Sequence, residues 1–354
     1  MDFTPTEEQA AARDLAARIF GDLSTHERLT AAGTGSDAEL WKELCAAGLV
    51  AAVEDIGLLG LVLLLEEQGR TTAQVPFAAS CVYGLLAVSA HGSPEQRERL
   101  LPGIADGTVV VAGAISGSRS RSGEAAGAGP AREGAPGKLT GVVPAVPWLR
   151  DATHVLVADD RSRLWLVRTA EAAASEPVEL TAPWSAGRLT LDGTPGEALG
   201  AAGANDDVLA TARTAFAGLQ AGVCAGSLAR AVEYTNAREQ FGRPLAAKQG
   251  VQLRAADAHM DTEAIRVTAY EAAWRRDEGL PYATHALTAS WWASEAGQRV
   301  VHTGQHLHGG AGADLEHPVH RHFLWGRQLD AYLGCGGEVL QELGELIVDE
   351  EVET

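Results

Sequence analysis

Residues 237–244 read Ala-Arg-Glu-Gln-Phe-Gly-Arg-Pro. Before this stretch, Val208, Ala212, Ala215, Leu219, Val223 and Val232 recur at helical spacing. A charged last turn followed by glycine and proline is how a long helix stops. Residues 237–244 are therefore read as the corner between two long helices. After the corner, Gln249 to about Gly279 reads as a second helix and Pro281 to about His308 as a third. Shorter helices follow near His317–Leu329 and Glu338–Val348. The third helix runs into Gln305-His306-Leu307-His308-Gly309-Gly310-Ala311-Gly312, a second glycine-bearing corner. A Gly-Gly pair lets a ligand approach the backbone closely, and Arg238 supplies a fixed fork of donors suited to a diphosphate. Each corner alone is more simply read as a charged helix end and its turn. The second corner does not follow a strand, so it is not a Rossmann fingerprint.

Upstream of the bundle the character differs. Val109-Val110-Val111-Ala112-Gly113-Ala114-Ile115 is short, β-branched and strand-like. Thr153–Ala158 and Leu164–Val167 read as paired strands around an Asp159-Asp160-Arg161-Ser162 turn, and Leu189-Thr190-Leu191 continues the pattern. Between them, Gly117–Lys138 is built from Gly, Ser, Ala, Arg, Pro and Glu and is expected to be a surface loop. Residues 5 to about 105 read as helices. Thr4 is the expected cap of the first, Asp37–Leu49 forms a second, the apolar Ile56–Arg70 a third, and Ser93 caps a further one running to Ile104. The order is helices, strands, helices, without βαβ alternation. The expected fold is mostly α with a β-rich middle: a helical domain over 1–106, a small sandwich-like or barrel-like β domain over 107–204, and a four-helix bundle over 205–354.

The chain has 354 residues, 46% hydrophobic and 21% charged, with a formal net charge of −19. Such an acidic surface repels phosphate backbones and anionic lipid, which argues against nucleic-acid or membrane partners. Four cysteines without CxxC spacing, and a polar, acidic start, fit a reducing cytoplasmic compartment. The longest apolar run, Ile56–Leu65, is too short to span a bilayer.

Taken together, the two corners resemble the acyl-CoA dehydrogenase family. That family carries an Arg-x-x-Phe-Gly-(Arg/Lys) turn and a Gln-(Ile/Leu)-(His/Leu)-Gly-Gly-x-Gly turn at about this separation. Leu64-Leu65-Glu66-Glu67-Gln68-Gly69-Arg70 and Gly92-Ser93-Pro94-Glu95-Gln96-Arg97 resemble further family segments, so the resemblance runs over nearly the whole chain. It implies FAD bound between subunits of an oligomer. It also implies α,β-dehydrogenation of an acyl-CoA thioester in lipid metabolism, and an electron acceptor such as electron-transfer flavoprotein. By the same resemblance, Arg238, Gln240, Phe241, His306, Gly309 and Gly310 contact the diphosphate end of the dinucleotide. His306 stands where a glutamine is usual and can still donate a hydrogen bond.

Three departures are visible. The family's catalytic glutamate lies about 24 residues after the first glycine of the pair, in a Tyr-Glu-Gly step. Here the same count arrives at Tyr332-Leu333-Gly334, and leucine cannot take a proton. The alternative base position on the first bundle helix falls near Ala212. The flavin-facing aromatic-Ile-(Thr/Ser) step is replaced by Ala145-Val146-Pro147, with Trp148 late, and the usual Thr-Glu-Pro loop is replaced by Gly117–Lys138.

Other candidates are weaker. Six histidines crowd 302–322, and His317 with His320 could ligate zinc, but no acids or thiols stand at ligand spacing. Cys335 reads as a turn residue, Trp291-Trp292 as helix packing, and Asp330 or Glu338 could replace the missing base only in a rearranged loop. Three functions follow. The chain is a companion subunit of a homo- or hetero-oligomer, lacking the catalytic glutamate that a second acyl-CoA dehydrogenase-like chain supplies. Or it is a self-sufficient dehydrogenase with an unusual base. Or it is a family-fold protein recruited to other biosynthetic chemistry.

Overall fold

Helices of this chain open where a side chain can take up the first unpaired amides. In the computed structural model, which describes residues 3–115, 131–135 and 137–352, Thr6 caps α1 (Glu7–Leu23). Thr4 was the expected cap; Thr6 takes the role because it alone has Gln9 three residues on, and the pair closes a capping box. After α2 (His26–Ala32), Asp37 caps α3 (Ala38–Ala46). The apolar segment begins earlier than Ile56, as α4 (Leu49–Thr71), broken at Gly57, whose φ of 70° only glycine takes without strain. Then α5 (Phe77–Ala79) passes through a π-helical turn at Ser80–Leu86 into α6 (Ala87–His91). From Phe77 to Val88 this segment is uniformly buried, so it carries no amphipathic period for a sequence reading to catch. Ser93 caps α7 (Pro94–Ala105) with a second capping box.

Among the described residues, the middle of the chain forms eight strands: β1 (Val111–Ala114), β2 (Arg132–Ala135), β3 (Lys138–Val146), β4 (His154–Ala158), β5 (Leu164–Arg168), β6 (Ala174–Pro177), β7 (Gly187–Pro195) and β8 (Glu197–Leu199). Most of the expected Gly117–Lys138 loop lies outside the described residues; its end, Arg132–Ala135, is a strand. The C-terminal part comprises α8 (Ala204–Ala237), a short hairpin of β9 (Glu239–Gln240) and β10 (Arg243–Pro244), α9 (Gln249–Asp277), α10 (Ala283–His308), α11 (Val319–Leu329) and α12 (Gly336–Val352). The helix–strand–helix order is the one the sequence predicts.

The chain divides into two compact units. The sheet unit, residues 27–57 and 74–212, contains two four-stranded sheets, β1-β4-β5-β8 and β2-β3-β7-β6. β1 runs parallel to β4, and the other pairings are antiparallel. Alternate residues Val155 and Val157, Trp165 and Val167, and Leu189 and Leu191 enter one shared core, as period-2 side-chain alternation requires. Trp148, at φ 58°, is buried and stacked on Trp184 at 4.5 Å.

The bundle unit comprises residues up to 26, 58–73 and 213 onward. One backbone-on-backbone seam joins the second half of α4 to α8. Gly218, Gly222 and Gly226, four residues apart, face Val62, Glu66 and Arg70, and Gly69 faces back toward Leu219 and Val223. A Cβ at Gly222 would lie 2.7 Å from the Glu66 Cα, so the two backbones are in direct contact. The seam holds Glu66, which is buried and paired with Arg266 at 3.0 Å. The Asp277 carboxylate, from the end of α9, accepts from the amides of Leu58 and Leu59, both at 2.8 Å, and so caps the resumed helix after Gly57. Helix α8 is long and apolar enough to cross a membrane by composition, but 72% of that apolar window is buried in the protein, as in a core helix.

Candidate functional site

Both glycine-bearing corners lie in the bundle unit. At the first, α8 ends with the Arg238 amide donating to the Tyr234 carbonyl at 2.8 Å, and the Leu245 amide returns to the Arg238 carbonyl at 2.9 Å. Gln240 pairs with Arg243 and Glu239 with Pro244, which leaves Phe241 and Gly242 as the two central residues of the hairpin. Their φ values, 58° and 75°, are those of a type I′ turn. Glycine suits that geometry and phenylalanine does not. Phe241 is nonetheless held at the tip, 92% exposed, with the Lys248 ammonium 4.9 Å from its ring centre. Arg238 and Gln240 are exposed beside it.

At the second corner, α10 ends at His308, and Gly309 turns the chain with φ 62° and ψ −138° into a short 3-10 turn, Gly309–Ala313. A Cβ on Gly309 or Gly310 would meet nothing within 4 Å, so their backbone is open to an approaching group. Gly312 differs: a Cβ there would strike Gln305, so that glycine serves packing. His306 is exposed on the last turn of α10 and lines an open groove of about 640 Å³ with Arg254, Asp261, Arg299 and His302.

The corners are joined by a contact that sequence reading overlooks. The ring of Tyr234, one turn before Arg238, stacks on His308, which immediately precedes Gly309, at 4.7 Å and 25°. His308 is buried and bonded through Nδ1 to the Gly304 carbonyl at 2.7 Å, with His317 edge-on at 4.9 Å. The i, i+4 placement of Tyr234 and Arg238 was the available signal. Arg230 and several imidazoles surround this end of the bundle. Burial, then the neighbouring His308 and Arg230, hold His317 below its ordinary pKa, and burial lowers Arg230. His317 and His320 use Nδ1 on local backbone groups, the Val319 amide and the His317 carbonyl.

At the position where the family's base is expected, Leu333 is 5% exposed and borders a cavity of about 20 Å³. None of the described residues lining that cavity is acidic. The neighbouring carboxylates are engaged elsewhere. Asp330 accepts from the Ser294 hydroxyl at 2.7 Å and pairs with Arg327 at 2.9 Å. Glu338 accepts from the Cys335 amide at 3.1 Å, which gives Cys335 a place in a helix-start turn. Glu342 forms a two-point pair with Arg213, at 2.8 and 2.7 Å. Ala212, at the alternative base position, is buried.

Residues 6–108 match the acyl-CoA dehydrogenase N-terminal domain and residues 201–342 the acyl-CoA dehydrogenase C-terminal domain. Acyl-CoA dehydrogenase FadE27 of Mycobacterium tuberculosis is 32% identical, over 99% of each chain. Among solved structures, the "Tcur3481-Tcur3483 steroid ACAD G363A variant" superposes with a TM-score of 0.90 at 39% identity, covering 98% of this chain and 99% of that one. The ChsE4-ChsE5 complex from Mycobacterium tuberculosis gives 0.90 at 30% identity, with 98% and 99% covered. With matched domains at both ends, a relative matched end to end, and a fold of helices, sheets and helices, this chain belongs to the acyl-CoA dehydrogenase family of flavoproteins.

Proposed function

We propose that this chain is a companion subunit of an acyl-CoA dehydrogenase assembly. In this reading Arg238, Gln240, Phe241, His306, Gly309 and Gly310 contribute to an FAD site. A second, base-bearing chain takes the α-proton of the acyl-CoA thioester. The observation that carries the reading is Leu333: an aliphatic side chain in the base position, beside a cavity with no acidic lining residue. General-base catalysis needs a titratable group within hydrogen-bond reach, and Asp330, Glu338 and Glu342 are each tied to other groups. Two similar solved structures bear the names of two chains each, ChsE4-ChsE5 and Tcur3481-Tcur3483, which supports a hetero-oligomer.

The residues present fit a dinucleotide. Arg238 offers charge-assisted donors to a diphosphate, and the open backbone at Gly309 and Gly310 allows close approach. His306 adds a donor, and the Tyr234–His308 stack keeps the two corners together. Phe241 offers an apolar face to a neighbouring chain. FAD, when bound, supplies the acceptor for the β-hydride, and electron-transfer flavoprotein is the onward acceptor that family membership suggests. One of the similar structures is a steroid acyl-CoA dehydrogenase by name, so a steroid-bearing acyl-CoA is the first thioester to test.

The test is cofactor content. The chain purified alone is expected to be colourless, and to become yellow and thioester-reducible when co-expressed with a base-bearing acyl-CoA dehydrogenase chain. A lone chain that retains FAD and is bleached by an acyl-CoA refutes the companion role and leaves the self-sufficient enzyme. A chain that stays colourless with every such partner points to other chemistry.

A further inference from the structure

The cavity beside Leu333 is small for a reason that lies in α8. Arg213 follows Ala212, the alternative base position, and its side chain is 3% exposed. Its guanidinium ties one empty base position to α12: Nε donates to the Leu333 carbonyl at 3.3 Å, while Nη1 and Nη2 grip Glu342. Phe216, one turn further along α8, packs edge-on against Tyr332 at 4.8 Å and closes the adjoining side. What remains, about 20 Å³, has room for one water molecule. Sites for small organic ligands run to roughly 300–1,000 Å³.

We infer that the Arg213–Glu342 pair is a plug that seals the base-side cavity of this chain against an acyl thioester. The inference rests on the companion reading and deepens it: the chain lacks a base and also the space in which a base would act. The geometry makes the plug firm. A bidentate guanidinium–carboxylate pair is directional as well as strong, and Arg213 is fixed by the helix on one side and by the Leu333 carbonyl on the other. Opening the cavity would require Arg213 to leave Glu342 while still enclosed by protein, which strands a buried charge. An acyl chain offers nothing to replace the carboxylate.

The experiment counts bound thioester. A non-reducible thioether analogue of an eight-carbon acyl-CoA is titrated by equilibrium dialysis into the yellow assembly that contains this chain. One analogue per pair of chains is expected, and two per pair with the double variant Arg213→Met/Glu342→Leu, which removes both charges together. Glu342→Gln is the milder companion: its amide oxygen still accepts one hydrogen bond from Arg213 while the two-point ionic grip is lost, and binding at the second site is expected to tighten at least tenfold. Two analogues per pair in the unmodified assembly overturn the plug. So does a folded double variant, or the Glu342→Gln variant, that still binds one. If the chain proves yellow on its own, the companion reading fails separately. The plug then stands if that lone flavoprotein binds no analogue, and falls if it binds one per chain.

Discussion

Gly222→Ala adds a single methyl group at the seam between α4 and α8. The new Cβ would lie 2.7 Å from both the Cα and the carbonyl carbon of Glu66 and nearer still to its oxygen. Ordinary carbon contacts sit near 3.5–4.0 Å, so the helices must separate by about 1 Å. No side chain can rotate away, because both faces of the clash are backbone. A gap of that size forfeits a quarter to a half of the dispersion energy of the atoms it parts, here along Gly218–Val62, Gly226–Arg70 and Gly69–Leu219 as well. Overpacking of backbone against backbone lies at the top of the usual range, about 3 kcal/mol, and the better helix propensity of alanine returns about 1 kcal/mol. A net loss of about 2 kcal/mol lowers Tm by roughly 4–8 °C for a unit of this size. The matched control is Gly21→Ala, in α1, where a Cβ meets nothing within 4 Å and only the propensity gain remains. Scanning calorimetry of both variants is expected to give shifts of opposite sign. Equal shifts, or a Gly222→Ala protein as stable as the parent, refute the reasoning that the seam is held at backbone contact.

Three more outcomes follow from particular groups. His322 is buried, its Nε2–H donates to the Arg70 carbonyl at 2.9 Å, and burial lowers its pKa to about 4. An unfolded histidine titrates near 6.5, so below that pH the unfolded chain binds a proton that the folded chain refuses. Stability present above pH 6.5 is lost as pH falls toward 4, by about 3 kcal/mol in all, and urea titrations at pH 7 and 5 should show that slope flattened in His322→Gln. Asp277→Ala removes the carboxylate that caps Leu58 and Leu59 and should cost about 2 kcal/mol in urea unfolding, while Asp277→Asn, which keeps one acceptor, should cost less than half as much. Phe241→Gly relieves a positive φ at an exposed site; the lone chain should gain about 1 kcal/mol by thermal melt while flavin retention in the co-expressed assembly falls. A Phe241→Gly variant with unchanged flavin retention would remove the hairpin tip from the proposed site.

Much of this protein was legible without coordinates. The helix break at Gly242 and Pro244, the cap at Ser93, and the hairpin turn at Asp159–Ser162 are local events, set by the conformational limits and hydrogen-bonding reach of a few neighbouring residues. The two corner motifs were also local strings, and they sufficed to point to the family. The empty base position was a count along the chain.

Other features depended on tertiary structure. The helix from Phe77 is buried on all sides as far as Val88, so its sequence has no polar face to reveal a period. Asp277 caps a helix that resumes about 220 residues earlier, and Arg213 meets Glu342 across 129 residues. Tyr234 and His308 belong to different helices and meet at one end of the bundle. A local pattern records what one segment needs: a face to bury, a cap, a turn. It does not record which distant group meets that need, because many carboxylates could cap a helix or pair with an arginine. The choice falls to the close packing of backbones, as along Gly218, Gly222 and Gly226, which fixes where each remaining side chain can reach.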